Sequence, residues 1–198
     1  MRFRIFGTEI YVSFLFAAII TVMLAVDRTG FVIPSLFAVF MHELGHLFAM
    51  WVFESSPKQI RLIPASVQVV RKVDSAKRSG ETAVALSGPI VNIILFVSLY
   101  INYVSFKNEI SLYYALLNLV IGLFNLIPVM GLDGGTVLFN ILCRKKSVEK
   151  AVAVMRTITI LTAVLVIAVG VVLALRHKFN LSVFIIGVYL FVMSLIKM

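Results

Sequence analysis

The stretch Phe31-Val32-Ile33-Pro34-Ser35-Leu36-Phe37-Ala38-Val39-Phe40-Met41-His42-Glu43-Leu44-Gly45-His46-Leu47-Phe48-Ala49-Met50-Trp51-Val52-Phe53 decides the fold class. It is about as long as a helix must be to cross a bilayer, roughly 20 apolar residues, and its ionisable side chains are His42, Glu43 and His46 alone. The rest of the 198-residue chain has the same character, with 61% hydrophobic residues, 14% charged residues and a mean hydropathy of +1.06. Soluble domains run at about 45–50% apolar and about 25% charged, so a soluble globular domain is excluded. The expectation is an all-α polytopic membrane protein forming a single domain over residues 1–198.

Outward from that stretch, apolar runs mark six spans: Val12 to Val26, Phe31 to Phe53, Thr82 to Val104, Ile110 to Ile127, Ala151 to Leu175, and Phe179 to Ile196. Two segments alternate with a period of two instead and predict small interfacial β-hairpins. These are Arg2 to Tyr11, turning at Gly7-Thr8, and Gln59 to Lys72, broken at Pro64-Ala65-Ser66. The opening Met1-Arg2-Phe3-Arg4 resembles the start of a secretory signal, but the apolar run after it is long and lacks a small-residue cleavage site, so it reads as a retained span. The lone Cys143 excludes an intrachain disulfide.

A net charge of +9 in a soluble chain would suggest nucleic acid as a partner. Beside apolar spans the same charge orients them in the membrane, and the partner it implies is the lipid bilayer. With a cytoplasmic N-terminus, 14 of the 18 Lys and Arg fall on the inside and four, Arg28, Lys107, Arg176 and Lys178, on the outside. Both termini are therefore expected in the cytoplasm.

His42-Glu43-Leu44-Gly45-His46 is an HExxH motif. Helix positions four apart share a face, so both imidazoles can reach one metal ion, and the glutamate beside the first is placed to polarise a metal-bound water. From the frequencies of His and Glu in this chain, chance produces the motif in on the order of one such sequence per thousand. The alternative is a pair of histidines packing or hydrogen bonding between helices. Ionisable groups inside a span are costly and mark functional sites. His42 lies eleven residues before Phe53, which at 1.5 Å per residue places it about 16 Å below the cytoplasmic surface. His177, in a basic external turn, reads as solvated.

Hydrolytic zinc sites hold three protein ligands and an open position, and no third histidine lies within a span. Among the remaining carboxylates the strongest candidate is Asp133, in Asn125-Leu126-Ile127-Pro128-Val129-Met130-Gly131-Leu132-Asp133-Gly134-Gly135, where Pro and Gly let the chain turn back at membrane depth. Taken alone, Asp133 serves equally well as the cap of a short helix from Gly134 to Leu142.

The pairing of HELGH in a span with a later NxxPxxxLDG segment resembles the site-2 protease family of intramembrane zinc metalloproteases, peptidase family M50. The six-span form is similar to the bacterial stage IV sporulation protein FB group. The likeness covers about residues 31–142, and Ile5-Phe6-Gly7 with its hairpin is similar to the family's start. It implies one zinc ion per chain held by His42, His46 and Asp133, Glu43 as general base, and cleavage of peptide bonds in or near spans of membrane-bound substrates, in the cytoplasmic membrane of a bacterium. Ser87-Gly88-Pro89 with Asn92 is similar to a family segment on the third span, where close helix packing is its expected role. PDZ and cystathionine-β-synthase domains of some members are not expected.

Asn125 has two open roles, as a hydrogen-bond donor to the oxyanion or substrate backbone and as a helix-to-helix bridge. A helical substrate must unwind before attack, and Gln59 to Lys72 offers a strand edge to hold it. Two other function classes compete: a metal-ion transporter using His42, His46 and Asp133 as a transit site, and a proteolytically idle relative that binds membrane helices. An acid directly beside a ligand histidine suits hydrolysis better than transit, and the presence of Glu43 with all three ligands argues against idleness.

Overall fold

The computed structural model describes residues 2–5, 8–53, 57–63, 66–71 and 78–175. In chain order the elements are β1 (Arg2–Ile5), β2 (Thr8–Val12), α1 (Phe14–Val26), α2 (Val32–Val52), β3 (Pro57–Ile63), β4 (Ser66–Arg71), α3 (Arg78–Phe106), α4 (Glu109–Asn125), α5 (Asp133–Lys145) and α6 (Val148–Leu175). The first five apolar runs each fall on a helix, while the sixth, Phe179 to Ile196, and His177 lie outside the described residues. Val32–Val52, Gly80–Phe106 and Val148–Val172 are long and apolar enough to cross a membrane; α1, at 13 residues, and α4, at 17, are shorter. Helices α3 and α6 begin before their apolar runs, at Arg78 and Val148 rather than Thr82 and Ala151. Arg, Glu and Lys are good helix formers, so hydropathy marks the apolar depth and not the helix end.

The chain divides into two compact units, Met1–Gly122 and Leu123–Met198. In the first, the two expected hairpins form one four-stranded sheet in the order β1-β2-β3-β4. Within each hairpin the strands are antiparallel, and β2 pairs with β3 in parallel, Glu9 opposite Gln59 and Val12 opposite Leu62. Parallel neighbours need a long crossover, which α1 and α2 supply. Thr8 and Ser66, expected in the turns, instead open β2 and β4 and pair with Ile5 and Ile63.

The helices of this unit are organised inside out relative to a soluble protein. The buried residues of α2 include Ala38, His42, Gly45 and Ala49, while Phe37, Phe40, Phe48 and Trp51 are exposed. In α4 the same spacing of four, three and four buries Ser111, Ala115, Asn118 and Gly122. Small and polar residues on the facing sides let backbones approach where lipid removes the hydrophobic drive between helices. A Cβ on Gly45 would stand 2.8 Å from the Ser87 carbonyl oxygen of α3. Ala49, Met50 and Val84 form a small apolar cluster beside that contact, with Leu47 packed against it.

The second unit is built on α5 and α6, joined through Lys146 and Ser147. Val129 and Ala163 are fully buried, with Ile127, Leu132 and Val166 packed around them. The turn before α5 is tied to α6 by the Met130 N–H, which donates to Thr159 Oγ1 at 3.0 Å.

Candidate metal centre

The spacing of four in HELGH brings the two imidazoles together on α2. Their ring centroids are 4.8 Å apart and nearly perpendicular, and His42 Nε2 lies 3.2 Å from His46 Nε2. Each Nδ1 faces an oxygen: Asn92 Oδ1 at 2.6 Å from His42, and the Val84 carbonyl at 2.7 Å from His46. A carbonyl only accepts, so the neutral His46 ring carries its proton on Nδ1. The Asn92 amide is oriented by its other end, because Nδ2 donates to the Ala38 carbonyl at 3.2 Å and to Asn118 Oδ1 at 3.0 Å. Asn118 is in turn oriented by its own Nδ2, which donates to the Tyr114 carbonyl at 2.9 Å. The end of Asn92 facing His42 is therefore an acceptor, and His42 also carries its proton on Nδ1.

With both rings in the Nδ1–H form, the two Nε2 atoms are left as the donors available to a cation, 3.2 Å apart. Two nitrogens bound at about 2.0–2.1 Å to one tetrahedral zinc lie roughly 3.3–3.4 Å apart, and the observed 3.2 Å matches that separation. Gly88 keeps the space in front of them open: a Cβ there would come within 2.5 Å of His46 Nε2 and 2.8 Å of His42 Nε2. The tautomers, the spacing and the cradle all fit a divalent cation of the zinc type.

Glu43 follows His42 on α2 and is half-buried. Asp133 is the first residue of α5, with Leu132 in the N-cap position and making no side-chain cap bond. The helix starts one residue earlier than expected, which puts Asp133 in its first turn. Gly134, immediately after, packs against the Leu126 carbonyl so tightly that no Cβ fits, which folds the turn back on itself. Asn125 is the last residue of α4 and half-buried.

Peptidase family M50 matches residues 108–168. A zinc metalloprotease of Methanocaldococcus jannaschii is 30% identical over 155 residues, 72% of this chain and 45% of that protein. The solved site-2 protease from Methanocaldococcus jannaschii superposes with a TM-score of 0.71 at 25% identity, covering 98% of this chain and 93% of that one. The chain is similar to peptidase family M50 and has the fold of the site-2 proteases.

The chain spans about half the length of the curated relative it matches. The apolar helices are those of an integral membrane protein, as the family leads one to expect. The bacterial setting and the sporulation likeness gain no support from these relatives. Sequence reasoning missed two residues beside the histidine pair. Asn92, read as a packing residue, is fully buried and hydrogen-bonded to His42. Asn118, not singled out at all, is the buried polar residue that holds it. A signal was present for both, since an asparagine in the middle of an apolar run must find a partner. Ser87, the first residue of Ser87-Gly88-Pro89, donates to the same Val84 carbonyl that accepts from His46, at 2.6 Å.

Proposed function

We propose that the chain is a zinc-dependent endopeptidase that hydrolyses peptide bonds in or near the membrane-spanning segments of membrane-bound proteins. The observation that supports this most directly is the pair of Nε2 lone pairs 3.2 Å apart on an HExxH helix, with both Nδ1 protons engaged elsewhere. His42 and His46 are two ligands; the LDG motif of the family assigns the third to Asp133. Zinc held there would supply Lewis-acid polarisation of the scissile carbonyl and would lower the pKa of water towards about 7.

The chain's own residues supply the rest. Glu43 takes a proton from the attacking water and passes it to the leaving amine, so a peptide bond and one water become a carboxylate and an amine without an acyl-enzyme. Asn125 supplies a donor to the oxyanion or to the extended substrate backbone. The outer edge of β4 holds the unwound substrate as an added strand. Both termini face the cytoplasm and the site lies within the bilayer nearer that face.

The test is Glu43→Gln in cells carrying a membrane-anchored substrate. Cleavage should vanish while zinc content stays at one per chain; persistence of cleavage removes Glu43 as the base. Recovery of zinc flux into proteoliposomes, with no proteolysis, would favour the transporter reading instead. A pull-down with the same variant identifies the substrate by mass spectrometry.

A further inference from the structure

The two ligand histidines are oriented by different means. His46 leans on a backbone carbonyl, Val84 O, which no substitution removes. His42 leans on a side chain, Asn92 Oδ1, across the α2–α3 contact. Asn92 is fully buried and its bonds run to two other helices: His42 and Ala38 on α2, and Asn118 on α4. Such an amide has only one productive orientation. Reversed, it would set Nδ2 against His42 and Oδ1 against the Ala38 carbonyl and Asn118 Oδ1, losing two bonds and driving the His42 proton onto Nε2, where it would block the lone pair a cation needs.

We propose that Asn92 is a positioning residue for the metal centre, an amide latch that fixes His42 in its Nδ1–H tautomer, and that Asn118 keeps the latch the right way round. This rests on the reading of His42 and His46 as metal ligands. Hydrogen bonds to the second nitrogen of ligand histidines set tautomer and ring orientation, and their loss costs about 10–100-fold in metal affinity. The relay also explains why two asparagines are kept at depth in apolar helices, where an unsatisfied amide is costly.

The experiment uses the full chain in detergent, with Zn2+ titrated against a chromophoric chelator and the imidazole nitrogens of the metal-stripped protein read by 15N NMR. Asn92→Leu, similar in volume but without an acceptor, should weaken zinc binding about 10–100-fold and give His42 a mixture of tautomers while His46 stays Nδ1–H. Asn92→Asp keeps an oxygen facing His42 and should bind zinc as the native chain does. Asn118→Leu should act in the same direction as Asn92→Leu but less strongly, since the Ala38 carbonyl still holds one end of the amide.

Native affinity in Asn92→Leu overturns the proposal. So does a loss in Asn92→Asp as large as in Asn92→Leu, which would mark Asn92 as packing only. Should Asn92→Leu fail to fold, Asn118→Leu carries the test, and unchanged affinity with an unchanged His42 tautomer overturns it. A native chain that binds no zinc while its His42 is Nδ1–H overturns the metalloprotease reading and leaves the latch as an observed fact of the apo protein.

Discussion

Residue 88 faces the side chain of residue 46 with nothing between them: a Cβ on Gly88 would sit 2.5 Å from His46 Nε2 and 2.7 Å from Cε1. Carbon and nitrogen cannot approach so closely, and the same Cβ would crowd His42 Nε2 at 2.8 Å. Gly88→Ala is therefore expected to push both rings aside or fill the place of the metal. Elemental analysis of the purified variant should show zinc falling from one per chain towards none, with helix content retained. Full zinc occupancy in Gly88→Ala would refute the placement of the metal in front of these two nitrogens.

Much of this was legible from the chain. Apolar runs located five described helices because hydropathy and helix formation coincide across a bilayer, and His42 and His46 could be paired because helical spacing alone puts them on one face. The sheet was only half legible: each hairpin follows from local alternation, but the parallel pairing of β2 with β3 joins residues some fifty positions apart, and local pattern carries no such information. The roles of Asn92 and Asn118 were hidden for the same reason. An amide's partner depends on which helices meet, and a span's sequence does not say what it packs against.

Thr159 shows how the second unit steadies its turn. Fully buried in α6, its hydroxyl donates to the Met155 carbonyl at 2.9 Å and accepts from the Met130 N–H. Thr159→Val keeps the shape and removes the acceptor, leaving the Met130 N–H unpaired at a cost of about 1–3 kcal/mol. Thermal unfolding in detergent should show the loss, and amide exchange should quicken between Met130 and Leu132, the residues leading into Asp133. Unchanged exchange there would mean the turn is held by its own backbone bonds.

At the sheet, β4 pairs only with β3 among the described residues, Val67 opposite Leu62 and Val69 opposite Ile60. If the free side of β4 receives the substrate as an extra strand, its backbone must be able to donate. A proline at either position removes an N–H and is poorly tolerated inside a strand. Val67→Pro and Val69→Pro are expected to impair cleavage of a membrane substrate while zinc content stays native. Unchanged cleavage in both variants sinks the strand-addition reading.

Asp27 makes the pH dependence of the α1–α2 junction testable. Its carboxylate accepts the Val32 N–H at the start of α2 at 2.8 Å, and the Thr29 hydroxyl and N–H at 2.8 and 2.9 Å. These bonds, Val32's foremost, favour the charged form and lower its pKa from 3.8 to about 2. A depressed folded-state pKa means a contribution that is fully present above the unfolded value and lost as pH falls through the folded one. The native chain should therefore outlast Asp27→Ala in thermal unfolding at pH 6, with the gap holding to near pH 4 and closing between pH 4 and pH 2. Comparing the two proteins at each pH cancels the other carboxylates. A gap that stays constant down to pH 2 would show that the Asp27 side chain acts there by shape and not by charge.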